Sequence, residues 1–368
     1  MRFTCQREEL ARALGFAVRA VSPHAAADVL KGVLVDCSGD TVTVTGNDTE
    51  MGIVATLGAE VGAPGAVVLD AHMFNDIVRR ASGSDVSISV DERFQAVICS
   101  GDAEFAIMAL SAESYPVLPE VSGLRTLTLP QAKLKTQISK TIFSVSDQET
   151  KAIHTGVLFD ALPESLTLVA LDGHRLALRR EAVEAGEAYS FVVPSGPLRE
   201  LERMLEDEEE ASLSLHIGAR HMLAELPGLT LVSRLLEGEF LKYKNAIPAA
   251  REFSAKMDTK AMMGALERVG LLITEKQKNP VRILFSDSQA QVSCVTALGR
   301  AVDILLCEGG GDMEIGFNHR YLLDALRRAD SESFRFETAG PLAPCLILPE
   351  EGEDTVFMIL PVRLKADL

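Results

Sequence analysis

The residues best suited to chemistry are Asp172 and His174, two apart and followed by Arg175, in the run Leu171-Asp172-Gly173-His174-Arg175-Leu176-Ala177. A carboxylate beside an imidazole is the start of an acid–base pair. The rest of an active site does not follow: the chain has no nucleophile motif, no glycine-rich phosphate loop and no metal-ligand spacing near the pair. Asp next to Gly more often shapes a turn than catalyses. Catalysis is disfavoured, and trials with generic hydrolase and transferase substrates discriminate. The six cysteines (Cys5, Cys37, Cys99, Cys294, Cys307, Cys345) include no Cys-x-x-Cys pair. They read as small buried residues of a reducing cytoplasm, not as a disulfide frame or a zinc site. No metal and no cofactor is expected.

The elements that must position the turn repeat along the chain. Gly32-Val33-Leu34-Val35-Asp36 recurs as Gly156-Val157-Leu158-Phe159-Asp160, a shift of 124 residues. An alternating strand follows each, Thr41-Val42-Thr43-Val44-Thr45 and Ser165-Leu166-Thr167-Leu168-Val169; Asp48 then closes the first unit as Asp172 closes the second. A weaker third copy runs from Val281-Arg282-Ile283-Leu284-Phe285 to Gln291-Val292-Ser293-Cys294-Val295. Period-2 alternation with β-branched residues predicts antiparallel hairpins. Helical spacing keeps the same shift: Phe74 and Ile77, Leu198 and Leu201, Leu322 and Ala325. These predict helices over 70–81, 197–205 and 318–329. Three more open the units, over 7–21, 130–141 and 258–272, with Pro130 at one start and Asp258 as an N-cap. The chain thus reads as a triplicated α+β domain, each copy with two helices and two sets of antiparallel strands. The expected domains are 1–122, 123–246 and 247–368.

The formal net charge is −17 over 368 residues, which taken alone opposes nucleic-acid binding. The distribution differs from the total. Counted over 7–20, 71–80, 130–141, 197–206, 256–268 and 318–328, the helical segments hold sixteen basic and nine acidic residues, a net +7, and the remainder is −24. Basic helices lining a concave face would attract phosphates without reading bases. Lys and Arg are also good helix formers on solvated faces, so charge alone leaves the two readings even. The N-terminus lacks the order of a signal peptide, and no apolar run reaches the length of a membrane span.

The Asp172–Leu176 run resembles the Asp-Gly-His-Arg-Leu signature of the bacterial DNA polymerase III beta subunit (beta sliding clamp) family. The ending Leu360-Pro361-Val362-Arg363-Leu364 resembles that family's C-terminus. Glu237-Gly238-Glu239-Phe240 with Tyr243 and Pro248 resembles its entry to the third domain, and Gly316-Phe317-Asn318 with Tyr321-Leu322 its last inner helix. Residues 70–80 and Tyr115-Pro116-Val117-Leu118-Pro119 match the first domain's pattern, so the resemblance spans the whole chain.

The resemblance implies a non-catalytic processivity factor: three DNA-clamp domains per chain and a head-to-tail homodimer forming a pseudo-sixfold ring around duplex DNA. Closure would remove sheet edges near 70–105 and 304–314. Sequence-independent DNA contact would fall to Arg7, Arg12, His24, Arg79, Arg80, Lys133, Lys135, Gln148, Arg199, Arg203, Lys260, Asn318, Arg320, Tyr321 and Arg328. A hydrophobic pocket for short partner peptides would be built from Leu171, Gly173, His174, Arg175, Leu176, Leu241, Ala246, Ile359, Leu360, Pro361, Val362, Arg363 and Leu364. Leu176, Ile359, Leu360 and Val362 would form its floor, with His174 and Arg175 at the rim. Implied partners are the polymerase III catalytic subunit, the clamp loader, repair polymerases and mismatch-repair proteins, with no membrane. The chain departs from the family's usual pattern at Leu171, Leu241, Asn245, His24, His72, Ala152 and Ile153, and it continues past Leu364 as Lys365-Ala366-Asp367-Leu368, expected beside the pocket. A triplicated scaffold that never meets DNA is the competing reading; retention on circular but not linear DNA separates the two.

Overall fold

The structure, a computed structural model, describes residues 1–121, 125–208, 210–274 and 279–364. The Lys365–Leu368 extension, expected beside the pocket, lies outside them.

Six α-helices appear among the described residues: α1 Arg7–Ala17, α2 Ala71–Arg80, α3 Gln131–Thr141, α4 Ser195–Met204, α5 Thr259–Gly270 and α6 His319–Leu326. Their boundaries correct the sequence reading by up to four residues, and the capping and turn chemistry gives the reasons. Asp70, Asp258 and Asn318 sit just outside α2, α5 and α6, and each side chain accepts a backbone N–H of the first turn. Asp258 is thus the N-cap that the sequence suggested. Pro130 closes the strand Arg125–Pro130 instead of opening α3. Pro197 is the third residue of α4, where its missing N–H costs no helical bond. Residues Val18–Ala20 tighten into a 3-10 turn, so α1 stops at Ala17.

The chain divides into two compact units, Met1–Ala132 with Gly196–Leu235, and Lys133–Ser195 with Leu236–Leu368. The first holds a five-stranded sheet in the order Glu60–Ala63, Arg2–Gln6, Asp85–Val90, Gln95–Ser100, Ala103–Met108. It also holds a nine-stranded sheet in the order Leu110–Ser111, Gly65–Asp70, Gly32–Ser38, Thr41–Asn47, Met51–Gly58, Leu229–Arg234, His221–Leu226, Ser212–Ile217, Arg125–Pro130. The second unit holds one twelve-stranded sheet: Tyr189–Pro194, Gly156–Leu162, Ser165–Leu171, Arg175–Ala182, Thr355–Ile359, Cys345–Pro349, Ser333–Thr338, Phe253–Asp258, Gly299–Gly309, Gln289–Thr296, Val281–Ser286, Met313–Phe317. The hairpins expected at all three repeats form and are antiparallel. Alternation decides their faces. In Thr41–Asn47, Val42 and Val44 are buried against Leu10, Leu14 and Phe74 of α1 and α2.

Each unit contains one seam where strands of different repeats pair. In the first, Met51–Gly58 meets Leu229–Arg234, with Ala55 across from Leu229 and Met51 across from Ser233. In the second, Arg175–Ala182 meets Thr355–Ile359, with Arg179 across from Thr355 and Arg175 across from Ile359. A shift of 124 on one strand and 126 on the other converts the first register into the second. Two strands lack such a partner among the described residues. Ala103–Met108 ends its sheet, and Gly299–Gly309 pairs on its second side through Cys307, Glu308 and Gly309 alone.

Candidate functional site

The run at Asp172 is a turn at one end of the second seam. Gly173 takes φ +91°, a backbone region that glycine enters without a Cβ penalty. Asp172 Oδ1 accepts the backbone N–H groups of His174 (2.9 Å) and Arg175 (3.0 Å), so this carboxylate is spent on shaping the chain. His174 is exposed and stacks on Tyr321 at 6.2 Å.

Arg175 is the best-anchored side chain here, 13% exposed. Its Nε donates to Asp172 Oδ2 (2.9 Å), Nη1 to Asp324 Oδ2 (2.6 Å) and Nη2 to the carbonyl of Phe143 (2.8 Å). The guanidinium lies over the Tyr321 ring, 4.6 Å from its centroid. Burial and the Asp172 carboxylate push the Tyr321 phenol above its ordinary pKa. Arg175 therefore works as a strut rather than as a free cation at a rim. Asp324, Phe143 and this role of Tyr321 escaped the sequence reading. Asp324 stands one helical turn after Tyr321 on α6, which could have marked it; a main-chain carbonyl such as that of Phe143 leaves no mark in a sequence.

The C-terminal segment runs beside this turn. Leu360 N–H donates to the carbonyl of His174 (2.8 Å), and Val362 N–H to that of Gly316 (2.8 Å). Behind it lies an apolar cluster containing Leu171, Leu176, Leu178, Tyr243, Leu346 and Met358, with Phe240, Ala246 and Ile247 packed against it. Of the four residues expected as a floor, Leu176 and Ile359 are each 1% exposed and belong to the core behind the surface. Leu360, Val362 and Leu241 present apolar area at 36%, 40% and 48% exposure. Gly173 and Arg363 are exposed; Ala246, Pro361 and Leu364 are half-buried. Main-chain bonds and packing thus bring the Leu171–Leu176 run, Ala246 and the 359–364 segment into one neighbourhood. A concavity of about 550 Å3, lined by Leu158, Asp160, Ser190 and the 238–245 loop, shares Leu241 with that set.

The residues expected to face DNA are more scattered. Arg79, Arg80, Arg199, Arg203, Lys260, Arg320 and Arg328 are exposed on helices or at their ends, and Lys133 and Lys135 are half-buried on α3. Arg12 pairs with Glu206 (3.7 Å), Arg80 with Asp76 (3.4 Å) and Arg203 with Glu200. Arg7 donates to the carbonyl of Gly83 (3.0 Å), Lys133 to that of Ala182 (2.9 Å), and Arg328 to Ser139 Oγ (3.0 Å). His24 and Gln148 are exposed outside the α-helices, while Asn318 is occupied capping α6. Among the described residues there is no His, Cys, Asp and Glu cluster fit to hold a metal ion, and no helix long and apolar enough to cross a membrane.

Three tandem domains of mixed helices and antiparallel sheets, joined by repeating seams, define the DNA-clamp class of protein. Family models for the DNA polymerase III beta subunit match in order: the N-terminal domain over residues 1–119, the central domain over 128–242 and the C-terminal domain over 244–363. The beta sliding clamp of Staphylococcus aureus (strain Mu50 / ATCC 700699) is 30% identical over 376 residues, covering 99% of each chain. The crystal structure of the DNA polymerase sliding clamp from Bacillus subtilis superimposes with a TM-score of 0.95 at 30% identity, covering 99% of this chain and 100% of that one. A sliding clamp from Pseudomonas aeruginosa bound to griselimycin gives 0.94 at 27% identity, with coverage of 99% and 100%. The chain belongs to the DNA polymerase III beta subunit family. Its function is accordingly that of a DNA sliding clamp, a non-catalytic accessory subunit in DNA replication.

Proposed function

We propose that two copies of this chain close head to tail into a pseudo-sixfold ring around duplex DNA, and that short peptides of replication and repair proteins dock at the second seam. The observation that carries this reading is the recurrence of the seam. Two seams share one register under a constant shift, and among the described residues Ala103–Met108 and the 299–306 part of Gly299–Gly309, which a third seam would need, have no strand on one side. Carrying the register forward sets Asp303 across from the partner's Ala103 and Gly299 across from the partner's Ile107. It also aims the Leu298 carbonyl at the N–H of the partner's Met108. Leu298 and Met108 are 67% and 66% exposed in the single chain, apolar area that closure would cover.

The helices would then face the DNA, with the basic residues named above as weak, sequence-blind phosphate contacts. A topological link needs no tight grip, which suits a site whose arginines are partly paired with acids of the same chain. At the second seam, exposed Leu241, Leu360 and Val362 offer the anchoring area that a short peptide needs. The Pseudomonas clamp bound to griselimycin supports ligand binding by this fold. Partners of this kind are the polymerase III catalytic subunit, the clamp loader, repair polymerases and mismatch-repair proteins. Domain limits of 1–122, 123–246 and 247–368, and a cytoplasmic location, complete the reading.

Sedimentation tests the ring directly. At micromolar concentration the expected species has twice the 39.7 kDa of one chain. The double variant Leu298→Asp, Met108→Asp should sediment as a single folded chain. A wild-type protein that sediments at 39.7 kDa throughout would sink the ring.

A further inference from the structure

Asp324 lies outside the residues that the resemblance assigns to the peptide groove, yet it makes the shortest of Arg175's contacts, 2.6 Å to Nη1. We propose that Asp324 is a positioning residue of the groove: through Arg175 it sets the His174 turn, and through that turn the Leu360 strand end beside which a peptide lies. The proposal rests on the peptide-docking reading given above.

The argument begins with the walls of the groove. One wall is the Asp172–Arg175 turn, whose His174 carbonyl receives the N–H of Leu360. The other is the segment leading into α6, where the Gly316 carbonyl receives the N–H of Val362. The first bond continues the ladder that pairs Arg175 with Ile359, and the second is joined by Leu364 packing on Gly316; these contacts fix the main chain but leave the plane of the Arg175 guanidinium free. Arg175 stands on the first wall and Asp324 on the helix that follows the second. Their ion pair is a side-chain tie across the groove.

The chemistry of the tie is directional. A guanidinium is a planar fork, so fixing two of its nitrogens fixes the plane. Asp172 holds Nε and Asp324 holds Nη1, with the Phe143 carbonyl on Nη2 and the Tyr321 ring beneath. Asp172 is three residues from Arg175 and moves with it; Asp324 is 149 residues away. Of the two carboxylates, Asp324 is the one that refers the turn to another element. Without it, Nη1 keeps its charge but loses an accepting partner at a site that is 13% exposed, and the fork can rotate. The first seam supports this assignment. It has the same turn, with Asp48 in the place of Asp172, but buried Met51 in the place of Arg175. A methionine side chain cannot form a tie of this kind there.

The test uses the full-length chain and a fluorescein-labelled clamp-binding peptide from a replicative polymerase, read by anisotropy. Asp324→Asn should weaken binding by roughly five- to tenfold, the scale of one net hydrogen bond, because the amide oxygen still accepts but the charge is lost. Asp324→Glu should recover most of it, because a carboxylate on a longer arm still reaches the fork. The melting temperature and sedimentation of both variants should match the wild type. Hydrogen exchange at the Leu360 amide should quicken in Asp324→Asn and not in Asp324→Glu, which a general loss of stability would not produce. Leu360→Asp serves as the control for the groove itself. Wild-type binding that Leu360→Asp abolishes and Asp324→Asn leaves intact would overturn the positioning role while leaving the groove. A folded, dimeric Leu360→Asp variant that binds normally, or a wild-type chain that binds no peptide, would instead overturn the groove reading and the proposal with it.

Discussion

The first seam and the second share a backbone and differ in what their side chains leave open. In the first, Asp48 Oδ1 accepts the N–H groups of Glu50 (3.0 Å) and Met51 (2.7 Å), Thr49 takes φ +77°, and Arg234 N–H donates to the Glu50 carbonyl (3.0 Å). In the second, Asp172, His174, Arg175, Gly173 and Leu360 make the corresponding bonds. The side chains diverge where buried Met51 stands in place of Arg175, and again one residue later. Gly52 stands where the second seam has Leu176, and a Cβ at Gly52 would come within 2.3 Å of the Leu118 side chain. Leu118, on the segment linking the first domain to the second, fills that space. Its counterpart linker in the second seam brings the small Ala246 instead. Where the second seam ends in apolar Leu360 beside His174, the first ends in an ion pair, Arg234 with Glu50 at 3.3 Å. One ladder thus carries Leu118 over Gly52 at the first turn and Ala246 near Leu176 at the second, depending on a few side chains.

The largest test of this comparison is to unseal the first seam. Leu118→Ala removes a half-buried side chain from the space over Gly52 and should cost about 2 kcal/mol in denaturant unfolding, the low end for such truncations because the site is partly exposed. An unchanged unfolding midpoint would mean that Leu118 does not seal the junction. The reverse experiment fills the second seam. Ala246→Leu should lower peptide affinity tenfold or more, about 1.4 kcal/mol, with little change in melting; equal affinity would show that peptides do not use the space beside Ala246. The smallest effect belongs to the ion pair. Its partners are 55% and 62% exposed, so Glu50→Gln should shift stability by no more than about 0.5 kcal/mol, and the shift should vanish at high salt.

The contrast also explains what the sequence disclosed. The 124-residue shift, the hairpins and the six helices were legible because burial imposes period 2 on strands and a 3.6-residue period on helices. The Asp172 turn was legible because Asp and Gly serve such geometry locally. Helix starts slipped where Pro130 and Pro197 looked like first-turn residues while the strand ladder and α4 had already claimed them. The seams were not legible as pairings: Met51 meets Ser233 and Arg175 meets Ile359 across more than a full repeat, and nothing local records it. Leu176 and Ile359 were read as an exposed floor because apolar residues near a groove look alike in sequence, whether they line it or back it. The Arg175–Asp324 tie was hidden for the same reason as the seams, and Leu118 over Gly52 because an absent Cβ is silent until its neighbour is seen.

At both seams the bonds that close the junction run between main-chain groups, which every residue but proline carries. Assembly and recognition are therefore inherited separately. Under the proposed docking, substitutions at exposed Leu241 or Asn245 would change the peptide surface while the ladder that holds the domains together stays intact. On that reading a lineage would retune its partner set one side chain at a time without passing through an unfolded ancestor.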